Sequence, residues 1–244
     1  MTHTAKDKLI LALDVDSAER ALELCDQLRD AVGMFKVGSQ LFTAAGPDLV
    51  RQIVSRGAQV FLDLKFHDIP NTVAAAGVEA TRLGVSIFNV HAAGGAEMMR
   101  QTAEMINDTA EREGLAKPKV IAVTLLTSLD TNDLNKIGCL EESSSLVRKL
   151  SRLAADSGLD GVVASPQEIG IVREEVTNPN FLIITPGIRA VSSAADDQRR
   201  VMTAAKAVTD GADYIVVGRP ILNADDPVQA AWSIVEQIGK GFSN

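Results

Sequence analysis

Apolar residues in this chain fall into short runs rich in Val and Ile. Each run is followed by a longer stretch in which Ala, Leu and charged residues recur at helical spacing. The runs predict eight strands: KLILALD (8–14), MFKVG (34–38), QVFLDLK (59–65), SIFNVH (86–91), KVIAVTLL (119–126), GVVAS (161–165), FLIITPG (181–187) and YIVVGR (214–219). Between them, SAERALELCDQLRDA (17–31) predicts a helix with Ser17 as N-cap, and SSSLVRKLSRLAADSG (143–158) predicts one that ends at a glycine. Strict alternation of strand and helix calls for a parallel sheet. Eight units in 244 residues match an α/β fold of the (β/α)8 TIM-barrel type, in a single domain covering 1–244. A doubly wound open sheet is the rival, but LDVDSAE follows the first strand where that fold would place GxGxxG.

Two places break the rhythm. From Arg189 to Arg200 the chain is too polar to pack and predicts a mobile loop over a ligand site. In FLDLKFHDIPNT (61–72) the strand is apolar and aromatic, yet Asp63, Lys65 and Asp68 are threaded through it. Residues two apart on a strand share a face. Phe61, Asp63 and Lys65 should therefore look into the barrel mouth, and Leu62, Leu64 and Phe66 out toward the helices. Burying unpaired charge is costly, so these groups must form either a structural ion network or a reaction centre.

Composition narrows the partners. With 46% hydrophobic and 23% charged residues, the chain can bury a large core; 24 Lys plus Arg against 32 Asp plus Glu give a net charge of -8. That balance disfavours nucleic acid and anionic membrane as partners. No run of 18 apolar residues and no leader-like opening is present, so a cytoplasmic location is expected. Cys25 and Cys139 are far apart and read as reduced thiols; with His3, His67 and His91 equally scattered, no metal-ligand spacing arises. His91 reads as a hydrogen-bonded core residue, His67 as one that positions backbone, and Asp225 with Asp226 as a solvated helix start.

Reactive groups of a (β/α)8 barrel sit at the C-terminal ends of its strands. Here those positions hold Asp14, Lys36, Asp63 with Lys65, His91, Thr124 and Thr127, Pro186 with Gly187, and Gly218 with Arg219. TPGIR and VVGRP form a second constellation. Their glycines permit close backbone approach, and Arg189 and Arg219 can each meet a phosphate through two parallel hydrogen bonds, with Gln198 of the loop closing over it.

LDLKFHDIPNT resembles the DxKxxDIPxT signature of the orotidine 5'-phosphate decarboxylase family. The likeness extends to LALD (11–14), FKVG (35–38), LLTS (125–128), TPGIR (185–189), DQRR (197–200) and VVGRP (216–220), nearly the whole chain. The resemblance implies a bacterial-type lyase of pyrimidine biosynthesis that converts orotidine 5'-monophosphate to uridine 5'-monophosphate and CO2 without cofactor or metal. It implies Lys65 as proton donor, Asp63 beside the departing carboxylate, and Lys36 completing the charge network and touching the ribose. Asp14 would bind ribose, Thr127 would read the pyrimidine, Pro186 would pack on it, and Arg189, Gln198, Gly218 and Arg219 would hold the phosphate. Asp68 and Thr72 would enter the partner's site in a homodimer. DxKxxD is shared with magnesium-dependent sugar-phosphate barrels such as 3-keto-gulonate-phosphate decarboxylase. Such an enzyme, or a barrel that binds nucleotide without turnover, is the alternative.

Overall fold

The computed structural model describes residues 4–188 and 202–242. Its strands are β1 (Leu9–Ala12), β2 (Met34–Gly38), β3 (Val60–Phe66), β4 (Ile87–His91), β5 (Lys119–Val123), β6 (Gly161–Val163), β7 (Leu182–Thr185) and β8 (Tyr214–Val217). They pair in sequence order, all parallel, and β8 returns to β1 to close the barrel. The helices are α1 (Ala18–Leu28), α2 (Ser39–Ser55), α3 (Pro70–Arg82), α4 (Ala96–Glu113), α5 (Thr131–Lys136), α6 (Ser143–Asp156), α7 (Ile169–Glu175), α8 (Ala204–Thr209), α9 (Arg219–Leu222) and α10 (Pro227–Gly241). The expected (β/α)8 architecture is therefore present, and the rival open sheet is excluded by closure.

Local chemistry explains the ends. The Ser17 hydroxyl accepts the Arg20 N–H at 3.2 Å, as an N-cap should. Asp226 caps α10 by accepting the N–H groups of Val228 and Gln229, the solvated start expected of that segment. The first helix stops at Leu28 rather than running to Ala31. The fifth strand stops at Val123, three residues short of expectation. There the Thr124 backbone N–H and hydroxyl both converge on the Val163 carbonyl, and the chain turns away.

Packing occurs in two layers. Leu9, Leu11, Leu13, Phe35, Val37, Leu62, Phe88 and Val90 point outward and join the helices' buried faces. The opposite parity, Ile10, Ala12, Met34, Phe61, Ile87, Ile121, Ile184 and Val216, forms a separate cluster that plugs the barrel. This plug is the floor on which the polar groups rest.

Candidate active site

Two residues beyond the plug along each of the first four strands stand Asp14 after Ala12, Lys36 after Met34, Asp63 after Phe61 and Asn89 after Ile87. The same step along β5, β7 and β8 reaches Val123, Pro186 and Gly218. At this level the ionised side chains come from the first strands only. Lys36 Nζ lies 3.4 Å from Asp14 Oδ1 and 3.2 Å from Asp63 Oδ2, and Lys65 Nζ lies 2.6 Å from Asp63 Oδ1. Carboxylate and ammonium alternate along the row Asp14, Lys36, Asp63, Lys65. Burial alone would push the Asp63 carboxyl up. The charges of Lys36 and Lys65, with hydrogen bonds from Lys65 and Asn89, outweigh it and hold Asp63 below the usual carboxylate range.

The expectation of simple alternation along β3 needs correction at Lys65. Its side chain does reach Asp63, but its backbone is left-handed, with φ of 53°, not extended. The pairing of β3 with β4 shifts between Leu62↔Phe88 and Phe66↔Val90, so four steps on β3 span two on β4. Opposite that bulge is Asn89, fully buried, whose Oδ1 accepts the Lys65 N–H at 2.8 Å and whose Nδ2 donates to Asp63 Oδ1 at 2.7 Å. Sequence reading passed over Asn89. The available signal was its parity with Ile87 and His91 on an otherwise apolar strand.

A cavity of about 570 Å³ opens above this row, lined among others by Asp14, Lys36, Asp63, Lys65, Thr127, Pro186, Gly218 and Arg219. One cavity therefore gathers eight of the candidate residues. Asn223, just beyond α9, also lines it and was not foreseen. Gly218 matters through its missing side chain: a Cβ there would come within 3.2 Å of Asp14 Oδ2 and 3.4 Å of Ala12 Cβ. Arg189, Gln198 and the expected mobile loop lie outside the described residues.

Asp68 and Thr72 do not join the row. Both are exposed near the start of α3, where Asp68 Oδ1 accepts the N–H of Ile69, a residue 66% exposed. Among the described residues the His91 side chain shows no hydrogen bond of the kind expected; it is half-buried, with its ring 5.4 Å from that of exposed His67. Burial, then the neighbouring His67 and Lys65, push the His91 pKa down. Among the described residues no three His, Cys, Asp or Glu side chains cluster as a metal site, and no helix is long and apolar enough to cross a membrane.

The model of the orotidine 5'-phosphate decarboxylase / HUMPS family matches residues 7–234. Curated orotidine 5'-phosphate decarboxylases are similar along nearly their full length. That of Geotalea daltonii is 52% identical over 237 residues, 97% of this chain and 98% of the relative. That of Moorella thermoacetica is 51% identical over 235 residues, 96% of this chain and 93% of the relative. The crystal structure of the Lactobacillus acidophilus orotidine 5'-phosphate decarboxylase superposes with a TM-score of 0.83 at 36% identity, covering 94% of this chain and 98% of that one. The chain belongs to the orotidine 5'-phosphate decarboxylase / HUMPS family. Within that family, the charged row and the cavity above it stand at the C-terminal mouth, where barrels of this type carry their chemistry.

Proposed function

We infer that this protein is a carboxy-lyase that converts orotidine 5'-monophosphate to uridine 5'-monophosphate and CO2, the last step of de novo pyrimidine synthesis. One observation carries the reading: the Lys65 ammonium, held 2.6 Å from the Asp63 carboxylate in a cavity that Arg219 also lines. Loss of CO2 from C6 leaves an electron pair in the plane of the ring, where the π system cannot absorb it. A fixed cation at C6 opposes that charge as it forms and then supplies the proton. Asp63 orients the ammonium and faces the substrate carboxylate. Two like charges about 4 Å apart repel by about 4 kcal/mol at an effective dielectric of 20, and that repulsion vanishes as the carboxylate becomes neutral CO2.

In this assignment Lys36 anchors Asp63 and reaches the ribose with Asp14, Thr127 reads the pyrimidine edge, and Pro186 packs on the ring. The opposite half of the mouth receives the phosphate, held by Gly218 and Arg219 with Arg189 and Gln198. Binding energy from the remote phosphate then serves to hold C6 against Lys65. The two site carboxylates Asp14 and Asp63 each face an ammonium within 3.4 Å, which supports metal-free chemistry over the magnesium-dependent alternative. The enzyme acts in the cytoplasm as a homodimer, in which exposed Asp68 and Thr72 enter the partner's mouth.

The test is a metal-free assay with orotidine 5'-monophosphate in the presence of a chelator. Loss of substrate ultraviolet absorbance is expected, and Lys65→Ala should abolish turnover while uridine 5'-monophosphate still binds. Normal turnover in that variant would remove the mechanism, and chelator sensitivity would favour the sugar-phosphate alternative.

A further inference from the structure

We propose that Asn89 is a positioning residue that sets the aim of the Lys65 ammonium by bracing its backbone and its carboxylate partner at once. The inference rests on the decarboxylation reading and adds a residue to it. Lys65 is the only non-glycine residue with positive φ among the described residues, a conformation that L side chains avoid. The bulge also takes its N–H out of the ladder with β4. An arrangement both strained and deprived of its strand partner persists only where the surroundings fix it.

Asn89 supplies that fixation. It sits opposite the bulge, between the paired residues Phe88 and Val90, and its side chain replaces the missing rung by accepting the Lys65 N–H at 2.8 Å. The other end of the same amide donates at 2.7 Å to Asp63 Oδ1, the oxygen that also receives Lys65 Nζ at 2.6 Å. The result is a closed ring: Asn89 to the Lys65 backbone, out along the Lys65 side chain to Asp63, and back to Asn89. The position requires an acceptor on one side and a donor on the other in a fully buried site. Asparagine provides both without charge. An ionised aspartate would set two carboxylates against each other, and an alanine would leave the Lys65 N–H and part of Asp63 unsatisfied.

The experiment compares the parent enzyme with Asn89→Ala and Asn89→Asp for kcat, KM and uridine 5'-monophosphate affinity across pH, with thermal melting as a check on folding. In Asn89→Ala, kcat should fall about a hundredfold, as misplacing a reacting group does. KM and nucleotide affinity should stay within about threefold of the parent, because the lost interaction serves the transition state. Asn89→Asp should be similarly impaired at neutral pH and recover relative to the parent as pH falls. A protonated carboxyl donates to Asp63 while its carbonyl oxygen accepts the Lys65 N–H. Asn89→Ala has no such recovery, and melting at each pH separates regained aim from regained folded fraction, because a buried carboxylate also destabilises less once protonated. Parent-like kcat in both variants overturns the proposal, as does absence of recovery on acidification in Asn89→Asp. Should Asn89→Ala fail to fold, the isosteric Asn89→Asp alone decides. A parent enzyme that does not decarboxylate orotidine 5'-monophosphate would instead refute the underlying function and take this inference with it.

Discussion

Replacing Lys36 by Met keeps most of the side-chain volume and deletes one charge from the row. The Lys36 and Asp63 side chains are each 11% exposed and 3.2 Å apart, whereas that of Asp14 is 56% exposed, so screening discounts its share and the Asp63 pair dominates. At an effective dielectric of 20, charges at that separation attract by about 5 kcal/mol. Part of this is offset because the variant no longer desolvates an ammonium, but Asp63 stays buried with half its countercharge. Truncating one member of a buried pair costs about 3–5 kcal/mol, and a loss of about 3 kcal/mol is expected at neutral pH. The native pKa of Asp63 is lowered, so its contribution to stability is present above the unfolded carboxylate value and is lost as pH falls through the native one. Without Lys36, burial weighs more and that native value rises. The variant's deficit should therefore shrink on acidification, as its Asp63 takes up a proton before the parent's does. Urea unfolding followed by the single tryptophan, Trp232, at neutral pH and near pH ~4.5 measures this directly. An equal deficit at both pH values, or a variant as stable as its parent, would refute the electrostatic account of the row.

Gly161→Ala should destabilise the barrel by at least about 1–3 kcal/mol, because a Cβ there would overlap the Leu182 carbonyl oxygen and Cβ on the next strand; a lowered urea midpoint checks it. Ile69→Lys, at the exposed start of α3, should shift the protein toward monomer on a sizing column and reduce turnover while leaving far-ultraviolet dichroism intact. A dimeric, fully active variant would count against assembly through that surface. Burial, then Asp26, push the Cys25 thiol up to about 12, so a disulfide reagent at neutral pH should modify Cys139 first and Cys25 only on unfolding. Mass mapping of the modified peptides reads the order.

Much of the barrel was legible because its strands are runs of β-branched residues buried on both faces, as in VIAV and YIVV, and their apolarity needs no tertiary knowledge. The charged row was legible for the opposite reason: Asp63 and Lys36 stand where an apolar residue would be cheaper. Lys65 was visible as a charge but not as a bent backbone. A lysine carries no local signal for positive φ, and the bulge exists only in the register between two strands. Asn89 was hidden because a neutral amide in a strand is tolerated for many reasons, and its partners are 24 and 26 residues away in sequence. The fifth strand is shorter than its apolar run because Leu125, although apolar and buried, lies where the chain has already left the sheet.

Ile10, Ile121 and Ile184 are sealed from solvent, and Phe61 lies directly below Asp63 along its strand. Among the described residues, this apolar plug stands between Lys65 and the far end of the barrel. On the proposed assignment, whatever hydrogen ion this lysine gives up is replenished from the side on which product departs. Reloading the catalyst and emptying it are thus a shared errand through one doorway, and deuterium from solvent should enter the nucleobase only as fast as that doorway opens.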